Sequence, residues 1–97
     1  MAAYVVANYR VTNPEAYTDY PPAVVKTLLN HGAEILAADY ESERLEGDTS
    51  VVTIVLKFQT KEAARAWYNS PEYQAIVGLR MNAIEDAHAI LCDGFEG

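Results

Sequence analysis

The chain has 97 residues, 51% of them apolar, which is enough for one folded domain and too apolar for a disordered segment. Its net charge of −7 argues against nucleic acid and anionic membrane surfaces as partners, and no apolar run approaches the ~20 residues of a membrane span. The N-terminus lacks a basic stretch followed by an apolar segment, so no signal peptide is expected. Cys92 is the single cysteine, which favours a cytoplasmic protein without disulfides.

The first half of the chain predicts a strand, a helix and a second strand. Residues 3–11 are rich in β-branched and aromatic types. Asn13-Pro14-Glu15 then starts a helix, with Asn13 as the capping residue and the proline in the first helical position. Pro21-Pro22 predicts a kink or short break in this helix, and Gly32 ends it. Residues 33–38 form a short second strand, followed by an acidic turn region over residues 39–49.

The second half repeats this order. Residues 50–58 are the clearest strand pattern in the chain, and Thr60 caps a following helix. Ser70-Pro71-Glu72 is a second helix start, so this helix bends or restarts before running to about Ile84. The last strand is predicted over residues 87–93.

The two halves also resemble each other in sequence. Residues 11–16 match residues 58–63 at an offset of 47. A duplicated βαβ half predicts an α+β protein, a ferredoxin-like βαββαβ domain over residues 1–97 with a four-stranded antiparallel sheet.

Alternation along the strands assigns the two faces of that sheet. Val5, Ala7, Tyr9 and Val11 are expected under the helices together with the alternate residues from Val52 to Phe58. The opposite face is still half apolar, which soluble monomers avoid. Burial against a twofold-related copy would cover it, so a homodimer is predicted.

A family resemblance agrees with this fold. The segment from Phe58 to Gln74 resembles the DUF1330 family, particularly from Trp67 onwards. Asn13-Pro14-Glu15-Ala16-Tyr17, the His31-Gly32 helix end and Leu45-Glu46-Gly47 resemble it too. The resemblance implies a dimeric α/β barrel in which two four-stranded sheets pack face to face with helices outside. It implies no chemistry, because the family is defined as being of unknown function.

A looser likeness is to the antibiotic-biosynthesis and haem-degrading monooxygenases, which share this barrel. In the haem-degrading branch a tryptophan, an asparagine and an iron-binding histidine line the pocket. Trp67 matches the tryptophan, Asn8 approximately matches the asparagine, and Val77 occupies the histidine's position. Axial haem ligation is therefore not expected there, and no cofactor is predicted.

Several side chains are candidates for a ligand pocket, and each also has a purely structural interpretation. Trp67, Tyr68 and Tyr73 either pack in the core or form the wall of an aromatic pocket. Asn8 and Arg10 either bond across the dimer interface or reach a ligand, where the Arg10 guanidinium suits a carboxylate. Arg80 is expected to be a solvated helix charge.

A catalytic group is harder to identify. His88 is the candidate general base if it faces the helices, and a packed, surface or interface histidine if it does not. No metal motif is present among the acidic residues or around His88.

The preferred interpretation is therefore a small-molecule-binding homodimer with an apolar or aromatic ligand between sheet and helices. Two alternatives stay open: a cofactor-free monooxygenase or isomerase-like enzyme, as the looser likeness implies, and a structural interaction module. An enzyme should have polar groups that converge on a cavity, whereas an interaction module should have those positions tightly packed.

Overall fold

The computed structural model describes residues 1–95, which form one four-stranded antiparallel sheet with helices packed on one face. The strands are β1 (Ala3–Val11), β2 (Glu34–Asp39), β3 (Val52–Phe58) and β4 (Ile84–Asp93). The helices are α1 (Pro14–Tyr17), α2 (Tyr20–Asn30), α3 (Lys61–Tyr68), α4 (Pro71–Gln74) and α5 (Val77–Met81). The sheet order β2-β3-β1-β4 confirms the predicted ferredoxin-like fold. The last two positions of the predicted domain, 96 and 97, lie outside the described residues.

The sequence repeat corresponds to equivalent local structure. Asn13 caps α1 by accepting a hydrogen bond from the Ala16 N–H at 3.2 Å, and Thr60 caps α3 by accepting one from the Ala63 N–H at 3.0 Å. Each cap satisfies an N–H group that the first helical turn leaves free. Both helices therefore begin at the same point after an inner strand of the sheet.

The break in the first helical region falls before the prolines, not at them. α1 ends at Tyr17, and α2 restarts at Tyr20 with proline in its first turn. This placement is favourable because the first helical residues need no intrahelical N–H donor. α2 ends at Asn30 with His31 as its C-cap, and Gly32 follows with a φ of +67°, at the position predicted to end the helix.

The second helical region is shorter than predicted. It consists of three separate helices and ends at Met81, so β4 begins at Ile84 and not at about residue 87. The Ser70 side chain accepts from the Tyr73 N–H and starts α4, which explains the restart. Within the described residues, no helix has the length and apolar character needed to cross a membrane.

Strand register gives each side of the sheet its own set of residues. On the inner face, towards the helices, Val5 lies opposite Leu56 of β3 and Leu91 of β4. On the outer face, away from the helices, Val6 lies opposite Val55 and Ile90. The predicted inner set is the one that packs against the helices.

A β-bulge in β4 interrupts the alternation of side chains. Asn8 pairs with His88, but Arg10 pairs with Glu85, so β4 has one more residue than β1 between these pairs. Asp86 lies in this bulge with a φ of +54°, a conformation that aspartate tolerates better than most residues. The bulge determines which face each β4 side chain occupies.

Candidate functional site

A cavity lies between the inner face of the sheet and the helices. It has a volume of about 130 Å³ and is lined by apolar and aromatic side chains from all these layers. Its aromatic members are Tyr9, Tyr17, Tyr20, Tyr40, Trp67, Tyr68 and Tyr73. Tyr68 is 40% exposed and Tyr40 44% exposed, whereas Tyr9 and Tyr73 are fully buried. The cavity thus has a buried floor and an aromatic rim.

Trp67 forms a fixed part of the wall. Its ring packs against Tyr73, with centroids 4.2 Å apart, and against Phe58 at 5.5 Å. Its indole Nε1–H donates to Thr27 Oγ1 at 2.9 Å, and the Thr27 hydroxyl donates to the Val24 carbonyl. A buried indole N–H needs such an acceptor, and the contact ties α3 to α2.

The buried tyrosine hydroxyls are paired with one another. Tyr17 Oη lies 2.6 Å from Tyr9 Oη and 3.2 Å from Tyr40 Oη, so the three form a chain. Tyr20 and Tyr73 form a separate pair at 3.0 Å. Phenols in an apolar cavity need these partners because an unpaired buried hydroxyl is costly.

Burial also determines the protonation state of these phenols. It raises the pKa of Tyr17 and Tyr20 far above that of a free phenol, and the neighbouring phenols add to the effect. The pKa of Tyr9 is raised by burial as well, against the opposing effect of its bond to Tyr17. All three are therefore neutral O–H donors at neutral pH.

Among the described residues that line the cavity, Arg80 is the one charged side chain. It lies on α5, is only 7% exposed, and its Cζ is 5.5 Å from the centroid of the Tyr9 ring. Within residues 1–95, no carboxylate comes within salt-bridge distance of it. Burial disfavours its charge, but the oxygens of Tyr73 and Tyr20 more than compensate, and its pKa is raised.

The environment of Arg80 corrects the expectation of a solvated helix charge. A desolvated cation–π contact contributes about 2 kcal/mol, whereas removing an ion from water costs several kcal/mol. The Tyr9 ring alone therefore does not balance the buried charge. The sequence did contain a signal for the burial of Arg80. Tyr73, Val77 and Arg80 have the spacing of residues on one face of a helix, and all three are buried.

The predicted pocket residues divide between the two faces of the sheet. Trp67, Tyr68 and Tyr73 line the cavity. Asn8 and Arg10 do not, because their positions in β1 point to the outer face. Ala7, the neighbour of Asn8, occupies the cavity-facing position instead.

Both outer-face residues have structural partners. Asn8 donates to the Ser50 and Val52 carbonyls at 2.8 and 3.0 Å and accepts from the Ser50 N–H, so its amide extends the hydrogen bonding of the sheet. Arg10 pairs with Glu85 at 2.9 Å and with Asp86 at 3.0 Å. These partners belong to the same chain, whereas the structural role predicted for Asn8 and Arg10 was bonding across a dimer interface; that role stays a prediction.

His88 also belongs to the outer face. It lies opposite Asn8 and is exposed, beside Ser50 and Asp86, whereas its neighbour Ala89 lines the cavity. His88 therefore does not reach the cavity as a general base. Val77 is buried in the core near the cavity, and among the described residues no group of His, Cys, Asp and Glu side chains is arranged to hold a metal ion.

The sequence interpretation missed three cavity residues in and just after β2, besides placing Arg80 in solvent. Tyr40 follows β2, in a segment interpreted only as an acidic turn. Ile35 and Ala38 both face the cavity because β2 contains an irregularity between them. Nothing in the local sequence indicates that irregularity.

The fold and this site define a small ferredoxin-like α+β protein with a tyrosine-rich cavity under its helices. The DUF1330 profile, which describes a domain of unknown function, matches residues 2–95. The chain belongs to that family. A comparison with curated proteins gives no match.

Solved structures share the fold at low sequence identity. A protein of unknown function from Rhodopseudomonas palustris superposes with a TM-score of 0.81 at 16% identity, over 99% of this chain and 84% of that one. A dimeric ferredoxin-like protein of unknown function from Bacteroides fragilis gives 0.67 at 9% identity, over 96% of both chains. A Caulobacter crescentus protein with a proposed antibiotic biosynthesis monooxygenase role gives 0.65 at 12% identity, over 98% and 91%. At these identities the similarity shows the fold alone.

Proposed function

We propose that the protein binds a small apolar or aromatic molecule in the cavity between sheet and helices. The observation that supports this most strongly is a cavity of about 130 Å³ walled by aromatic rings and open at an exposed rim. An apolar protein cavity of ~150 Å³ is large enough for benzene. The dimensions therefore suit one ring, with substituents that extend towards the rim.

The chemistry of the lining favours binding over general acid–base catalysis. Chemistry at neutral pH needs a group that titrates near 7 or a cofactor that replaces it. Among the described residues that line the cavity there is no histidine, aspartate or glutamate. The buried tyrosines with raised pKa values donate hydrogen bonds but do not accept protons at neutral pH. These features support a binding protein.

The proposal includes a homodimer formed through the outer face. Val6, Val55 and Ile90 form an apolar row across three strands, and Ile90 is 60% exposed in the single chain. A second copy would cover this row, and some solved neighbours are described as dimeric. The proposed setting is the cytoplasm, as the single cysteine suggests.

The proposed site can be tested by blocking it. Calorimetry with a panel of one-ring compounds, neutral and charged, should identify binders with a stoichiometry of one per chain. Ala7→Phe adds a ring to a cavity-facing position and should abolish that binding. Ala66→Phe adds the same atoms on the exposed side of α3 and serves as the matched control. The proposal fails if no panel member binds, or if both variants bind like the wild type.

A further inference from the structure

The phenol oxygens of Tyr73 and Tyr20 offset the burial of Arg80, but no carboxylate among the described cavity residues pairs with its guanidinium. We propose that the ligand is a carboxylate on a small ring or apolar body, and that Arg80 anchors that carboxylate. This inference rests on the proposed function and narrows it to one chemical class.

The distribution of charge supports an anionic ligand. The whole chain has a net charge of −7, yet the described cavity lining contains one cation and no carboxylate. The other arginine beside the sheet, Arg10, has two acidic partners, Glu85 and Asp86. Arg80 is far more buried than Arg10 and has none within residues 1–95. A ligand carboxylate would supply the missing counter-charge.

The donors around Arg80 suit a carboxylate in particular. A guanidinium presents five N–H donors in one plane and binds a carboxylate through two parallel hydrogen bonds. The Cζ of Arg80 lies 5.5 Å from the centroid of the Tyr9 ring. A cation–π contact of this kind uses no N–H donor in a conventional hydrogen bond, so it leaves donors of Arg80 for an acceptor in the cavity.

The tyrosine pair that lines the cavity together with Arg80 offers a further donor. Tyr20 and Tyr73 share one hydrogen bond at 3.0 Å. Two phenols have two O–H protons, and the bond between them uses one. The second proton has no acceptor side chain among the described residues. It is thus available to a carboxylate oxygen that Arg80 holds.

A purely structural role for Arg80 is the competing explanation. A buried charge is weak evidence for stability, because an apolar side chain of similar volume avoids the desolvation cost. In that case neutral and charged ring compounds would bind equally well. Comparing benzoate with benzamide separates the two explanations, since these probes match in shape and differ in charge.

The experiment measures benzoate and benzamide binding to the full-length protein by calorimetry at low salt. The wild type should bind benzoate at least about tenfold more tightly than benzamide. Arg80→Gln should lose this preference and leave benzamide affinity within about twofold, while Arg80→Lys should keep part of it. Arg65→Gln removes an exposed arginine outside the cavity and should bind benzoate like the wild type.

Each result of this experiment bears on the carboxylate anchor or on the proposed function. Equal affinity of the wild type for both probes overturns the carboxylate anchor and leaves the proposed function standing. If Arg65→Gln loses benzoate binding as Arg80→Gln does, then the net charge of the protein determines benzoate affinity. That result also overturns the carboxylate anchor. Absence of binding for both probes and for the whole one-ring panel overturns the proposed function and the anchor with it. The wild-type comparison remains decisive if Arg80→Gln fails to fold.

Discussion

Polar side chains on the two sides of the sheet differ in the partners that the chain provides for them. On the outer face, Asn8 and Arg10 find partners in the protein itself, through the β3 backbone and through Glu85 and Asp86. On the inner face, Arg80 is buried among aromatic rings without an acidic partner in the described chain. The difference teaches that the charged and amide groups of the outer face are paired within the chain, whereas the charge of Arg80 has no carboxylate partner among residues 1–95.

The largest expected effect concerns the inner wall. Trp67→Ala should lower the free energy of unfolding by about 3–5 kcal/mol, because it removes a buried ring and leaves Thr27 without its donor. Urea unfolding followed by circular dichroism measures the loss. Tyr68→Ala, the next residue along α3 and 40% exposed, is the control and should cost less than half as much. Equal losses would mean that Trp67 is not a core residue.

The role of the outer face can be tested by measuring homodimer formation. The wild type should sediment at twice the chain mass of 10.7 kDa. Val55→Asp should raise the dimer dissociation constant by at least about 100-fold, because it buries an unpaired charge in the proposed interface. Leu29→Asp places the same charge on an exposed part of α2 and should leave the dimer intact. A wild-type monomer, or an unchanged Val55→Asp dimer, would contradict the role of the outer face.

The buried tyrosines predict a loss of stability at alkaline pH. The folded state raises the pKa of Tyr17 above the value of about 10 for an unfolded tyrosine. Above pH 10 the unfolded chain has therefore lost a proton that the folded chain retains. The free energy of unfolding should then fall by about 1.4 kcal/mol per pH unit for each such tyrosine.

Tyr17→Phe removes one of these groups from the inner face. Its unfolding free energy should fall with pH less steeply than that of the wild type, by about 1.4 kcal/mol per unit above pH 10. Denaturant titrations between pH 9 and about 11 measure both slopes. Identical slopes would show that Tyr17 ionises in the folded protein as easily as in the unfolded chain.

The smallest expected effect belongs to His88. Because it lies on the outer face opposite Asn8, His88→Gln should leave the affinity of the cavity for one-ring compounds within about twofold of the wild type. Calorimetry with the same panel provides the measurement. A loss of cavity binding in this variant would mean that the two faces are not independent.

Much of the fold could be predicted because local patterns are strong. Capping residues mark both helix starts, and alternation in β1 and β3 identifies the inner set correctly. The predicted end of the last helix near Ile84 was wrong, since Ile84 begins β4. An apolar residue in a short segment suits a helix end and a strand start equally well.

The candidate site was harder to predict, because it depends on register. Ile84 packs against the core and shares its sequence parity with His88, yet the bulge at Asp86 places His88 on the other face. Arg80 had the spacing of a buried residue, but its charge favoured solvent as the expectation. Long-range packing determined both outcomes, and no short motif encodes it.

The most direct measurement is solution NMR of the labelled protein with benzoate, observing contacts between the ring protons and protein methyl groups. The predicted result is contacts to the methyls of Ala7, Val24 and Leu28, which line the cavity, together with a shift of the Arg80 guanidinium signal. Contacts confined to Ile90 and Val6 on the outer face, with no change at Arg80, would contradict the assignment of the inner face as the binding site.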